Sequence, residues 1–297
     1  MIVVHFSAMH RISAPTLEAI ERLRSRDHDR VSDAGRTKLL LYDEVRPLAV
    51  VLFHGLSASP TQFTRFADEL YARGANVIVP RLPRHGHRDR LSPALARLKA
   101  DDLRDIARES AELAQGLGER VVVAGFSLGG LLATWVAQRY PVDRAVAIAP
   151  FFGMWWLPTI LTAPFAEILL KLPNIFAWWN PLVRERQQPE HGYPRYASHA
   201  IAESLRVAGE VFAHADEAFA AHELILVTNA AETGVNNRAV RRLRARLRAP
   251  KTGRLEHVVL RGIPPSHDII EPLRHRDVAS RVLPELLDIL TRSLGKC

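Results

Sequence analysis

The chain has 297 residues, 47% of them hydrophobic, enough to bury one large core or a core carrying an insertion. A mean hydropathy of -0.05 argues against an integral membrane protein. The net charge of +8 comes almost wholly from arginine, since only five of the 40 basic residues are lysine, so a basic surface rather than nucleic-acid binding is expected.

The single cysteine, Cys297, is the last residue, which leaves no disulfide framework, cysteine metal site or thiol nucleophile. The start, Met-Ile-Val-Val-His-Phe-Ser, lacks a basic region followed by a long apolar run, so no signal peptide and a cytoplasmic location are expected.

In chain order, residues 14–26 pattern as an amphipathic helix with Leu17, Ile20 and Leu23 on one side, an N-terminal helical extension over 1–35. Apolar runs at Lys38–Tyr42 and Leu48–Phe53 read as strands, the second ending in His54-Gly55-Leu56-Ser57. Ser59-Pro60 forms an N-cap and first-turn pair for a helix to about Arg73. A strand over Asn76–Pro80 leads into the polar loop Arg81-Leu82-Pro83-Arg84-His85-Gly86-His87-Arg88-Asp89, and a helix spans about Lys99 to Leu117. Val121–Ala124 is rich in β-branched residues and reads as a buried strand. It runs into Gly125-Phe126-Ser127-Leu128-Gly129 and then an apolar helix. A strand turning at once into a helix strains the middle residue and crowds its flanks, which is where glycine is needed; the turn lifts the Ser127 hydroxyl above the sheet.

Ala145–Ala149 is the next strand, and Leu224–Thr228 the one after it. About 74 residues separate them where a dozen suffice for a crossover, so 152–221 reads as an inserted cap or lid between core segments 36–151 and 222–297. Its first part holds four of the five tryptophans and, in 151–180, only Glu167 and Lys171 as charges. Prolines 158, 164 and 173 break it too often for a membrane span. Ser198–His222 reads as a helix returning to the core. The last third gives a helix over Val235–Arg248, a strand over Leu255–Leu260, the loop Ser266-His267-Asp268 and a helix around Val278–Leu294. Strand and helix alternate, which means α/β architecture: a mostly parallel sheet with helices on both faces.

A serine nucleophile needs a base, and the base an orienting acid, all from loops at the carboxyl ends of strands. His267 follows the last strand. Glu232 is the only carboxylate in the loop 229–237 after the preceding strand, and Asp268, adjacent to His267 in the chain, is placed to point elsewhere. Ser127, Glu232 and His267 thus form the candidate catalytic triad. Phe126, Phe151, Trp155, Trp156, Trp178 and Trp179 are the candidate pocket residues, giving an apolar acyl site or a face that meets lipid. The arginine-rich helix from Val235, with Arg238, Arg241, Arg242 and Arg244, is a second candidate for weak peripheral lipid contact.

These motifs, with His54-Gly55 and Pro83-Arg84-His85-Gly86-His87, make the chain resemble the α/β-hydrolase superfamily, of the esterase, lipase and monoacylglycerol-lipase type, from about residue 38 to the end. The resemblance implies an α/β-hydrolase fold, no cofactor, and an oxyanion hole from the backbone N–H groups of Leu56 and Leu128. It departs in using Glu232 where Asp is commoner and Leu56-Ser57 where some lipases have a glycine run. His85-Gly86-His87-Arg88-Asp89 also matches the start of metallo-β-lactamase zinc sites, but Arg90 stands where a further histidine is usual, so no metal is expected. The implied activity is a serine carboxylesterase or lipase working through an acyl-enzyme on a small ester or lipid. A serine peptidase, amidase or acyltransferase on the same residues, and a catalytically idle binding module, are the alternatives.

Overall fold

The computed structural model describes residues 11–187 and 189–293; the first ten residues of the expected extension, and Cys297, lie outside the described residues. In chain order the elements are α1 (Ala14–Arg24), β1 (Lys38–Leu40), β2 (Arg46–Phe53), α2 (Thr64–Ala72), β3 (Asn76–Val79), α3 (Ala100–Gln115), β4 (Gly118–Phe126), α4 (Leu128–Arg139) and β5 (Arg144–Ile148). Then come α5 (Thr162–Lys171), β6 (Phe176–Trp178), β7 (Arg195–Ala197), α6 (Ser198–Ala213), β8 (Glu223–Asn229), α7 (Asn237–Arg246), β9 (Arg254–Leu260) and α8 (Pro272–Thr291).

Seven strands form one sheet in the order β1-β3-β2-β4-β5-β8-β9. Within this sheet, among the described residues, only the β1–β3 pair is antiparallel. Strand alternation sends the two faces of the sheet into separate cores. Val51 and Phe53 of β2, Val121 and Val123 of β4, and Leu224 and Leu226 of β8 pack with α3, α4 and α7. Their neighbours Val50, Leu52, Val122, Ala124, Ile225 and Val227 pack with α2 and α8. Both faces are covered, so these strands are apolar throughout rather than alternating. Ile20 and Leu23 of α1 join the first of these cores.

Chain direction through the sheet reverses at β2, with β3 on one side of it and β4 on the other. A crevice opens at the carboxyl ends beside such a reversal. Phe53 at the end of β2 pairs with Gly125 at the end of β4, and Phe126 with Ile148 of β5, so the loops after these strands emerge side by side. Between β5 and β8 lie α5, the antiparallel β6–β7 pair and α6.

Three of the boundaries that differ from the sequence reading shift how the chain enters or leaves a helix. The helix expected from Pro60 to Arg73 is a 3-10 turn (Pro60–Phe63) followed by α2, and the Ser59 hydroxyl makes no capping bond. The helix from Ser198 stops at Ala213, well before His222. α8 begins six residues earlier than expected, at Pro272, with Glu271 accepting from the Leu273 N–H as its cap. A proline at the first helical position suits this start.

Candidate active site

The turn from β4 into α4 sets Ser127 at φ 56°, ψ −112°. A non-glycine residue held there costs about 1–3 kcal/mol, and it persists only where its surroundings over-determine it. Here they do. The Ser127 N–H donates to the Ile148 carbonyl at 2.9 Å, and the Ser127 carbonyl accepts from Phe151 N–H and Leu131 N–H, each at 3.0 Å. The flanking glycines answer to sterics. A Cβ on Gly125 would lie 2.1 Å from the Gly129 carbonyl oxygen, and one on Gly129 would lie 1.8 Å from the Phe53 carbonyl oxygen.

The loops after β8 and β9 bring the other two residues in. His267 Nε2 is 2.9 Å from Ser127 Oγ, and His267 Nδ1 is 3.0 Å from Glu232 Oε1. The loop carrying Glu232 passes close under the imidazole: a Cβ on Gly234 would meet His267 Cβ and Cγ at 2.7 Å. Phe126 lies against the ring, with centroids 4.9 Å apart. The Glu232 side chain is 1% exposed. Burial by itself would raise its pKa, but the hydrogen bond and charge of His267, with the N–H groups of Gly234 and Val235, hold the carboxyl below its ordinary value. A third N–H, from Thr233, also donates to Oε1, at 2.9 Å. A hydroxyl bonded to an imidazole whose far nitrogen faces an ionised buried carboxylate can lose its proton as it attacks a carbonyl carbon.

A cavity of about 400 Å³ opens over Ser127. Of the expected pocket residues Phe126, Phe151 and Trp179 line it, as does Leu56; Trp155, Trp156 and Trp178 do not. Trp155 and Trp156 are 64% and 50% exposed and face outward. Four tryptophans in one stretch signal an apolar segment, but which rings turn inward is set by how that segment docks. The sequence reading missed Met154, Ile201 and Val235, which complete the apolar wall, and Gln62, whose Oε1 accepts the Gly55 N–H at 2.9 Å. Ile201 comes from α6, whose position no local pattern reveals. Leu128 opens α4 directly after Ser127.

The histidines after β2 and β3 have other partners. His54 Nε2 accepts the Leu82 N–H at 3.1 Å, and burial followed by the nearby His85 holds its pKa well below the ordinary value. His85 is fully buried against His54 and Tyr193, and that burial takes it down to about 4. His87 Nδ1 bonds Ser92 Oγ at 3.1 Å. Among the described residues no group of three or more His, Cys, Asp or Glu could hold a metal ion. Among them, too, no helix is long and apolar enough to cross a membrane.

The model of the alpha/beta hydrolase family matches residues 50–287. Lipase 3 of Moraxella sp. (strain TA144) is 30% identical over 114 residues, 38% of this chain and 35% of that protein, so the match spans about a third of this relative's length. Among solved structures, one of the metagenome-derived lipolytic enzymes LipS and LipT superposes with a TM-score of 0.65 at 18% identity, covering 89% of this chain and 100% of the other. The monoacylglycerol lipase of Paleococcus ferrophilus gives 0.58 at 18% identity, covering 81% and 94%. The fold with its reversal at β2, the strained serine between glycines and a family match over most of the sequence lead to one conclusion: the chain belongs to the alpha/beta hydrolase family.

Proposed function

We propose that the chain hydrolyses carboxylic esters with apolar acyl groups through an acyl-enzyme on Ser127. The observation that carries this reading is the continuous chain of contacts Ser127–His267–Glu232 at 2.9 and 3.0 Å beneath an apolar cavity. Ser127 attacks the ester carbonyl and His267 takes its proton, later returning it to the alcohol leaving group. Glu232 fixes the ring tautomer and stabilises the imidazolium, and the Leu56 and Leu128 N–H groups hold the oxyanion. Residues 152–221 act as the cap over a core of 36–151 and 222–297. The names of relatives agree in kind: a lipase from Moraxella and an esterase from Escherichia coli. Among the described residues no Lys or Arg lines the cavity, so none of them there can pair a substrate carboxylate. Among the described residues the cap contributes no acid to the lining, and the one carboxylate there is Asp268, next to His267.

One observation favours a lipid source for the ester. Ten of the thirteen exposed large hydrophobic residues among those described fall between Trp155 and Val183. So many exposed apolar side chains in one segment suit contact with a lipid surface, even with Trp179 set aside as part of the cavity lining, whereas α7 buries its apolar side and presents arginines. The test is a series of nitrophenyl esters from acetate to palmitate on wild type and Ser127→Ala, with emulsified and dissolved substrate. Activity that rises with chain length, and that Ser127→Ala abolishes, is expected. Equal rates for the two proteins would sink the reading, and indifference of Trp155→Ser/Trp156→Ser to emulsified substrate would remove the lipid surface from it.

A further inference from the structure

The loop that carries Leu56 is held from outside the core. Ser57 sits at φ 63°, strained for a residue with a side chain. Its carbonyl accepts the Tyr193 N–H at 2.7 Å and its hydroxyl accepts the Trp179 indole N–H at 2.6 Å, both from the cap. Two residues on, the Ser59 hydroxyl stands where it could cap the turn at Pro60, yet it bonds His191 Nδ1 at 3.0 Å instead. On the other side of the ring, His191 Nε2 lies 3.1 Å from Glu271 Oε2, a close polar contact rather than an aligned hydrogen bond. Glu271 caps α8 with its other oxygen and follows His267 by four residues.

All three side chains are withdrawn from water: Ser59 is fully buried, and the side chains of His191 and Glu271 are 6% and 2% exposed. Burying three polar groups is costly unless they satisfy one another. The Ser59 hydroxyl and His191 Nδ1 satisfy each other through their hydrogen bond, while Nε2 and Glu271 Oε2 are held in close contact with no other hydrogen-bond partner. One imidazole therefore touches the oxyanion loop and the start of α8 while belonging to the cap, where Pro189 and Gly192 on either side of it line the cavity. Core packing alone would need none of these groups to be polar.

We infer that His191 is a positioning residue that, by bridging Ser59 and Glu271, locks the cap and the His267 loop against the oxyanion loop and so aims the Leu56 N–H at the developing oxyanion. This rests on the oxyanion role given to Leu56 above. The bridge makes cap docking a condition for full activity, even on a substrate too short to touch the cap.

The experiment compares His191→Leu, His191→Asn and Ser59→Ala with wild type on nitrophenyl acetate, and measures affinity for a methyl trifluoromethyl ketone, which forms an oxyanion adduct at the serine. Removing an oxyanion donor outright costs roughly 100- to 1000-fold in kcat, so a misaimed one is expected to cost about 10- to 100-fold. His191→Leu and Ser59→Ala are expected to lose this in kcat, with KM within threefold and ketone affinity falling in parallel. His191→Asn, whose side-chain oxygen can still accept the Ser59 hydroxyl, is expected to recover most of it. Wild-type kcat and ketone affinity in Ser59→Ala overturn the inference, and so does a loss confined to KM. If His191→Leu does not fold, Ser59→Ala, which deletes one oxygen, decides alone. Inactive wild type, or active Ser127→Ala, instead brings down the hydrolase reading, and that is seen before any His191 variant is assayed.

Discussion

Replacing Glu232 by Gln separates charge from geometry at the base. Glu232 Oε1 accepts from His267 Nδ1 at 3.0 Å and from the N–H groups of Thr233, Gly234 and Val235 at 2.9, 2.7 and 3.3 Å, while Oε2 is buried with no hydrogen-bond partner. Three backbone donors will therefore hold the glutamine carbonyl oxygen where Oε1 was. The acceptor facing His267 survives, and with it the ring tautomer. Only the negative charge is lost. A carboxylate and an imidazolium about 4 Å apart interact by about 4 kcal/mol at an effective dielectric of 20, and less as water enters. Taking about 2–4 kcal/mol, kcat should fall about 30- to 1000-fold. This is milder than the roughly 10,000-fold loss seen where an amide flips the tautomer of a serine-protease histidine. The amide nitrogen would occupy the Oε2 position and leave buried donors unpaired, costing a further ~1–3 kcal/mol of stability. Nitrophenyl butyrate turnover and urea melts measure the two effects, with Asp268→Asn as control. Turnover within threefold of wild type, or an equal loss in Asp268→Asn, would refute the assignment of Glu232. A 10,000-fold loss would refute the retained tautomer.

Two other predictions are independent of this one. Gly234→Ala places a methyl group 2.7 Å from His267 Cβ, so the imidazole must move, and turnover should drop at least tenfold while the far-ultraviolet circular dichroism is unchanged; normal kinetics would contradict the close approach. Buried His85 titrates at about 4 when folded and at about 6.5 when unfolded, so the unfolded chain takes up its proton first as pH falls. The stability this gives is present above about pH 6.5 and is lost toward pH 4, about 3 kcal/mol for this residue, with His54 shifting in the same direction. Thermal melts between pH 7 and 4.5 should show the decline, and His85→Gln should flatten it; a wild-type profile flat across that window would count against a neutral buried His85.

How much was legible in the chain follows from how local each signal is. Alternating strands and helices, and the apolar runs of β2, β4, β5 and β8, follow from backbone geometry and from burial on both sheet faces, which the residues themselves record. The elbow at Ser127 is equally local, because its glycines answer to neighbours a few residues away or on the adjoining strand. Ser127, Glu232 and His267 could be named together because each lies just past a strand, and parallel strands deliver such loops to one edge. What was not legible is how residues 152–221 sit against the rest of the chain. Trp179 turns inward to Ser57 while Trp155 and Trp156 face outward, a difference that composition cannot express. Ser59 looked like a helix cap, and its hydroxyl goes to a histidine 132 positions away. Periodicity and turn chemistry act over one or two turns of chain, so the sequence by itself determined the sheet, the elbow and the chain order of Ser127, Glu232 and His267. Contacts among Ser59, His191 and Glu271, and the shape of the cavity, depend on packing between segments far apart in the chain, and only the tertiary structure decided them.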